Sequence, residues 1–270
     1  MNRLLQNIKS KLFRKSMYPE LEKAGGLSNA LNHEFEKLNS ILRTSINADE
    51  DKLPIAYSRV ESGNKFSQIY IVAERKHYLP DFWRDGVCLA HGSTDNISEL
   101  ILAVDYWLTS NVSTHALAEK FNFVTPSDKA SAFDENREVE YAWKHLLSDK
   151  YNLELGEFIS LAVTDDALNK LFPFTSLYTL CFSKCTGYPF DTKDLPNVTP
   201  IEYFHFAAPW NTVEEAKSKP YNSPGNGKIY IVTKNKTQYL GKGNAAETLR
   251  IVLKNLPNDI EAARKGTAEG

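Results

Sequence analysis

The chain has 270 residues, 42 % hydrophobic and 24 % charged, which is the range of an ordinary globular protein and excludes a disordered or fibrous one. Its three cysteines, Cys88, Cys181 and Cys185, are an odd number, which excludes a complete disulfide framework and points to a reducing compartment. The net charge of −2 hides an asymmetry: residues 1–15 hold Arg3, Lys9, Lys11, Arg14 and Lys15 and no acid, so 27 basic residues face all 34 acids in the remainder, a balance of −7.

A body of that sign lacks the clustered cations that hold phosphate backbones, so direct nucleic-acid binding is not expected of it; it suits a basic protein partner. The N-terminal apolar residues are interrupted by Gln6, Asn7, Lys9 and Lys11, so no secretory core forms. No apolar run approaches the roughly 18 residues that suggest a membrane span, and a cytoplasmic protein is expected.

Leu5, Ile8 and Leu12 fall at helical spacing among lysines, which makes residues 1–17 a basic amphipathic arm. It either touches a membrane surface or partner through residues 1–15, or packs its apolar stripe on the body. Two α+β halves follow, 18–125 and 126–270, either separate or merged in one compact domain.

A helix is predicted over 20–44, split at Gly25-Gly26, with Leu27, Leu31, Phe35, Leu38 and Leu42 on one face. After the acidic loop Asp49-Glu50-Asp51, two hairpins turn at Ser62-Gly63-Asn64 and Arg84-Asp85-Gly86 and give a meander of about four strands. Thr94 or Asp95 caps a helix carrying Ile97, Leu100, Ile101, Val104, Trp107 and Leu108, and Ser113 caps a shorter one. Pro126 fits the first turn of a long helix reaching Leu147.

Short helices are predicted near 155–163 and 167–172, then strands over 177–183 and 201–207 and an exposed loop over 209–227. A hairpin around Lys234-Asn235-Lys236 leads to a last helix with Leu249, Val252, Leu253 and Leu256, stopped by Pro257. Ile69-Tyr70-Ile71-Val72 recurs as Ile229-Tyr230-Ile231-Val232, each time starting a hairpin before a helix, which suggests two similar strand-strand-helix halves. The predicted class is α+β, with antiparallel sheets and a central helical region.

The nucleotide-loop, dinucleotide, zinc-protease and nucleophile-elbow motifs are absent. Gly241-Lys242-Gly243-Asn244 either holds an anion or simply reverses the chain. Cys181 and Cys185 are four apart and Cys88 lies near His91, but no second matched pair completes a structural zinc set; buried thiols are expected, with no metal or cofactor. Cys185 or Cys88 with His91 or His205 is the sharpest nucleophile pairing. The segment Phe172–Phe190 places Phe174, Thr175, Ser176, Cys185, Thr186 and Tyr188 either along a small-molecule pocket or in a packed hinge between layers.

Leu171-Phe172-Pro173-Phe174-Thr175-Ser176 and Cys181-Phe182-Ser183-Lys184-Cys185-Thr186-Gly187-Tyr188-Pro189-Phe190 also resemble the signature of the bacterial domain of unknown function 6193 family. Ala24-Gly25-Gly26-Leu27, His91-Gly92-Ser93-Thr94-Asp95, Leu256-Pro257 and Gly266-Thr267-Ala268-Glu269 fit the same resemblance, which runs from about Tyr18 onward. Its members are abundant in actinobacteria and loosely labelled natural-product biosynthesis proteins. The resemblance implies no catalytic set and no cofactor.

The expected function is a protein-binding factor, an immunity protein that neutralises a bacterial toxin, because toxins acting on nucleic acids tend to be basic and opposite charge speeds capture. Its expected contacts are Asp49, Glu50 and Asp51 together with Asp134, Glu135, Glu138 and Glu140. The rival is an enzyme or substrate-binding accessory of small-metabolite biosynthesis, with its pocket at the aromatic segment and Cys185 as the reactive group.

Overall fold

The computed structural model describes residues 17–44, 57–148, 154–219, 221, 227–235 and 237–269. The chain forms two compact units that divide at Asn136/Arg137, not at 125/126. Each carries a five-stranded antiparallel sheet whose neighbours follow chain order, with helices interspersed, so the class is α+β. No helix among the described residues is long and apolar enough to cross a membrane. Residues 1–16 of the N-terminal arm and the acidic loop Asp49-Glu50-Asp51 lie outside the described residues.

The first unit opens with α1 (Pro19–Ala24) and α2 (Leu27–Lys37), separated as expected because Gly25 takes φ 81 and closes α1 with a left-handed cap. α2 ends at Lys37 rather than near Thr44. Strands β1 (Tyr57–Ser62), β2 (Lys65–Ile71), β3 (Tyr78–Arg84) and β4 (Val87–Gly92) then form the meander. Asp85 and Gly86 both have positive φ, 54 and 75, the primed turn that matches strand twist. Val60, Ser67, Ile69 and Phe82 are buried on one face, while Arg59, Gln68, Asp81 and Trp83 alternate onto the other.

Helix α3 (Ile97–Thr109) packs on β1, β2 and β3 through a stripe that includes Leu100, Val104 and Trp107. Its cap is Asn96, whose side chain accepts the N–H groups of Ser98 and Glu99; Thr94 instead pairs with Tyr78 beside the sheet. The other end is closed from the sheet. Lys65, only 7 % exposed, donates its ammonium to the carbonyls of Trp107 and Ser110 and lies 4.3 Å from the Trp107 ring centre. Burial, and then the Arg84 charge, hold that amine below its ordinary pKa. α4 (Thr114–Lys120), capped by Ser113, β5 (Val124–Pro126) and α5 (Ala130–Asp134) complete the unit. The long helix expected from Pro126 is thus replaced by a strand and two helices, and Asn136 at φ 59 breaks the helical path before the second one.

The second unit contains α6 (Glu138–Ser148), α7 (Gly156–Ala162), β6 (Phe172–Ser176), β7 (Thr179–Ser183) and β8 (Pro196–Pro200). A 3₁₀ turn (Ile201–Tyr203), α8 (Phe204–Ala207), α9 (Trp210–Ser218), β9 (Tyr230–Lys234), β10 (Gln238–Gly243) and α10 (Ala245–Lys254) follow. Three expectations give way here. Residues 167–171 turn instead of forming a helix and Phe172 already opens β6, 201–207 are helical with the strand placed before them, and α9 occupies part of the expected loop. β8 is central in its sheet, with prolines only at its two ends, where a missing N–H interrupts least.

The core of this unit includes Trp143, Phe158, Phe182, Val198, Tyr230 and Val252. α10 starts at a capping box in which Asn244 and Glu247 satisfy each other's backbone N–H. The repeated Ile-Tyr-Ile-Val faces opposite ways: Tyr70 is 38 % exposed and Tyr230 is fully buried. Residues 263–268 run beside the loop after β7: Arg264 N–H donates to Lys184 O, Thr186 N–H to Arg264 O, Gly187 N–H to Gly266 O and Ala268 N–H to Pro189 O. That clasp brings together the aromatic signature and the Gly266-Thr267-Ala268 segment, far apart in sequence.

Candidate functional site

β6 and β7 pair from Phe172↔Ser183 to Ser176↔Thr179, which leaves Leu177-Tyr178 as a two-residue turn. Both residues are left-handed, at φ 46 and 66. Such turns ordinarily use Asn-Gly, since each L residue held there costs roughly 1–2 kcal/mol. The side chains nevertheless point outward, with Leu177 69 % and Tyr178 53 % exposed. The Tyr178 ring stacks on Tyr203 at 4.2 Å between centroids. On the same short segment as Tyr203, Ile201 and Phe206 are also exposed. Inside the patch's base, Thr179 and Thr199 share a buried hydroxyl hydrogen bond of 2.8 Å that ties the hairpin to β8.

Backbone strain and exposed apolar side chains thus coincide at this tip. Sequence reasoning reads Leu177-Tyr178 as the start of a strand, since no Gly, Asn or Pro there signals a turn.

The aromatic segment is tightly packed. Phe174 stacks on Phe190 at 4.2 Å, Phe172 on the same ring at 5.7 Å, and Tyr188 meets it edge-on. Cys185 is fully buried: its Sγ accepts the Asp191 N–H at 3.2 Å, and Ser183 Oγ accepts the Cys185 N–H and donates to the Cys185 carbonyl. Thr186 is buried as well, whereas Thr175 and Tyr188 are exposed and Ser176 is half-buried. The geometry is that of a loop sewn to residues 263–268, and it shields the thiol from reagents.

The acidic residues are divided between the two units. Asp134 lies in the first unit, held by Arg84 at 2.9 Å and by the backbone N–H of Thr114. Glu135 follows it, exposed and accepting from Ser131. Glu138 and Glu140 belong to the second unit. Glu138 is only 5 % exposed, with Lys265 Nζ 3.6 Å away, and so is not a docking residue. Glu140 is exposed beside Arg137 at 3.4 Å.

Of the thiol–imidazole pairings, the structure brings Cys88 and His91 together, with Asp81 beside them on β3. Burial and the Asp81 charge push the Cys88 thiol up to about 11, against Lys129. Imidazole groups are absent from the hydrogen-bond partners of Cys185 among the described residues.

Fold and surface together define an α+β chain of two sheet-based units whose second unit displays a strained apolar hairpin tip. Residues 137–218, which contain that tip, match the model of a family of unknown function, DUF6193. No curated protein and no solved structure matches the chain.

Proposed function

We propose that this protein acts by binding another protein through the hairpin tip of its second unit, as a cytoplasmic immunity protein that captures a basic bacterial toxin. The observation that carries this reading is the pair Leu177-Tyr178, large apolar side chains exposed at strained positions, with Tyr178 stacked on Tyr203, whose own segment also exposes Ile201 and Phe206. Aromatic and aliphatic anchors of this kind supply most of the energy of protein interfaces. The balance of −7 over residues 16–270 adds long-range attraction for a cationic partner.

The test is co-production with basic toxin candidates encoded next to this chain, reading growth rescue and isolation of a stoichiometric complex. Leu177→Asp and Phe206→Asp should each weaken the complex by roughly 30-fold, the loss of about 2 kcal/mol that marks an anchor residue. A complex that forms equally well with both variants refutes the assignment of the surface. Failure of every neighbouring basic protein to bind refutes the immunity role.

A further inference from the structure

β3 and β4 are out of register by one residue. Asp81 faces His91 and Phe82 faces Ala90, but Trp83 then faces Cys88, so Leu89 is an extra residue in β4. In a regular strand Cys88 and His91, three apart, would point to opposite faces. The bulge removes that half-turn. Leu89 and Ala90 are both buried, while Cys88 and His91 emerge on the face that carries Asp81. Bulges commonly re-aim side chains in this way beside functional sites.

The three side chains converge. A sulfur, an imidazole nitrogen and a carboxylate oxygen all lie within 4.8 Å of one another. His91 Nδ1 is 2.8 Å from Asp81 Oδ1, and Cys88 Sγ is 3.8 Å from Nδ1 and 3.8 Å from Nε2. Tetrahedral zinc with ordinary bond lengths separates its sulfur and nitrogen ligands by roughly 3.6 Å, so the thiol–imidazole spacing needs only a small adjustment. The imidazole, 63 % exposed, is free to turn from its carboxylate hydrogen bond towards an ion. The backbone atoms beneath are fixed by strand pairing on both sides.

We propose that Asp81, Cys88 and His91 form a binding site for one borderline divalent ion, Zn2+ above all, on the outward face of the first unit's sheet. One thiolate, one imidazole and one carboxylate are the ligand mixture such an ion prefers to Mg2+ or Ca2+, which favour all-oxygen sets. The two anionic ligands balance the ion's charge, and the thiol proton passes to solvent on binding. Three protein ligands at an exposed position leave a fourth site for water or for a side chain of a partner.

The same three groups in a row also resemble a nucleophile, base and orienting acid. The geometry favours the ion. A sulfur equidistant from both ring nitrogens lies off the lone-pair direction of each, so no thiol–imidazole proton transfer is set up as the side chains stand, whereas an ion placed between the groups supplies the attraction that turns the exposed ring onto it.

The test is titration of the reduced full chain with Co2+ and Zn2+. One Co2+ should bind per chain, give a thiolate-to-cobalt charge-transfer band with the visible bands of four-coordination, and be displaced by Zn2+. Cys88→Ser should abolish the charge-transfer band. His91→Ala and Asp81→Asn should weaken binding by more than the roughly 10–100-fold that loss of a ligand's hydrogen-bond partner costs. Zn2+ should raise the melting temperature of the parent and not of the variants. His91, the most exposed of the three, gives a readout that does not disturb the strand. Absence of a thiolate band, a band that survives Cys88→Ser, or an affinity unchanged from the parent in all three variants overturns the proposal.

Discussion

Replacing Leu177-Tyr178 by Asn-Gly tests whether the hairpin tip serves the fold or a partner. Two L residues at φ 46 and 66 store roughly 2–4 kcal/mol of left-handed strain, most of which Asn-Gly relieves. Against this, the variant loses the Tyr178–Tyr203 stack, worth about 0.5–1.5 kcal/mol, and adds a glycine whose unfolded-chain freedom costs about 0.5–1 kcal/mol. The expected balance is a gain of about 1 kcal/mol, or a rise of roughly 2–6 °C in the melting temperature of a unit this size. Urea and thermal unfolding of the full chain measure it, and slower amide exchange over 172–183 localises it. The same variant should lose the partner complex. A gain in stability with a loss of binding is the signature of a surface maintained at the expense of the fold. Unchanged or lower stability would show that Leu177 and Tyr178 serve packing, and would refute the reasoning.

Asn244→Ala should destabilise the second unit by about 1 kcal/mol, because it removes the side-chain oxygen that accepts the Glu247 N–H in the capping box on α10; a urea titration measures it. Tyr18→Phe should cost about 1–3 kcal/mol and speed amide exchange over 72–77, since its hydroxyl accepts the His77 N–H at 3.0 Å and reaches the Val72 carbonyl at 2.8 Å. Burial pushes the Glu20 carboxyl up, but the hydrogen bonds from Lys76 and Tyr78 outweigh it and hold the group below its ordinary value. A depressed carboxylate stabilises the fold above the ordinary carboxylate range, and that contribution disappears as pH falls through the lowered value. Glu20→Gln should therefore flatten the acid limb of the stability–pH curve within and below the ordinary carboxylate range, as followed by melting temperature.

What could be read from the residues follows where local chemistry and tertiary structure agree. Gly25, Gly63 and Asp85-Gly86 punctuate the chain where their conformational freedom is used, so the first two helices and the meander are visible in advance. Ser113 and the Ile97–Leu108 stripe are equally plain. The hairpin tip is invisible because its turn uses Leu and Tyr, residues that ordinarily avoid left-handed backbone. Cys88 and His91 are visible as neighbours in the sequence, but their joining with Asp81 is not: their spacing has the wrong parity for one face, and only the extra Leu89 reconciles it. Acidic residues misled through their environment, since charge in the sequence does not show that Asp134 binds Arg84 or that Glu138 is buried. The break at Asn136 was missed because a lone Asn between helical patterns is a weak stop signal.

The clasp between residues 263–268 and the loop after β7 bears on how the chain is made. Emerging from the ribosome, residues up to Asn136 already contain every strand of the first sheet and can close it early. The second sheet has no such head start, because Thr186 and Gly187 donate to carbonyls at Arg264 and Gly266 that are synthesised much later. Until those residues are made, the loop after β7 lacks the carbonyls that hold it in the folded chain. The newborn protein passes through a stage with one finished half and one unfinished.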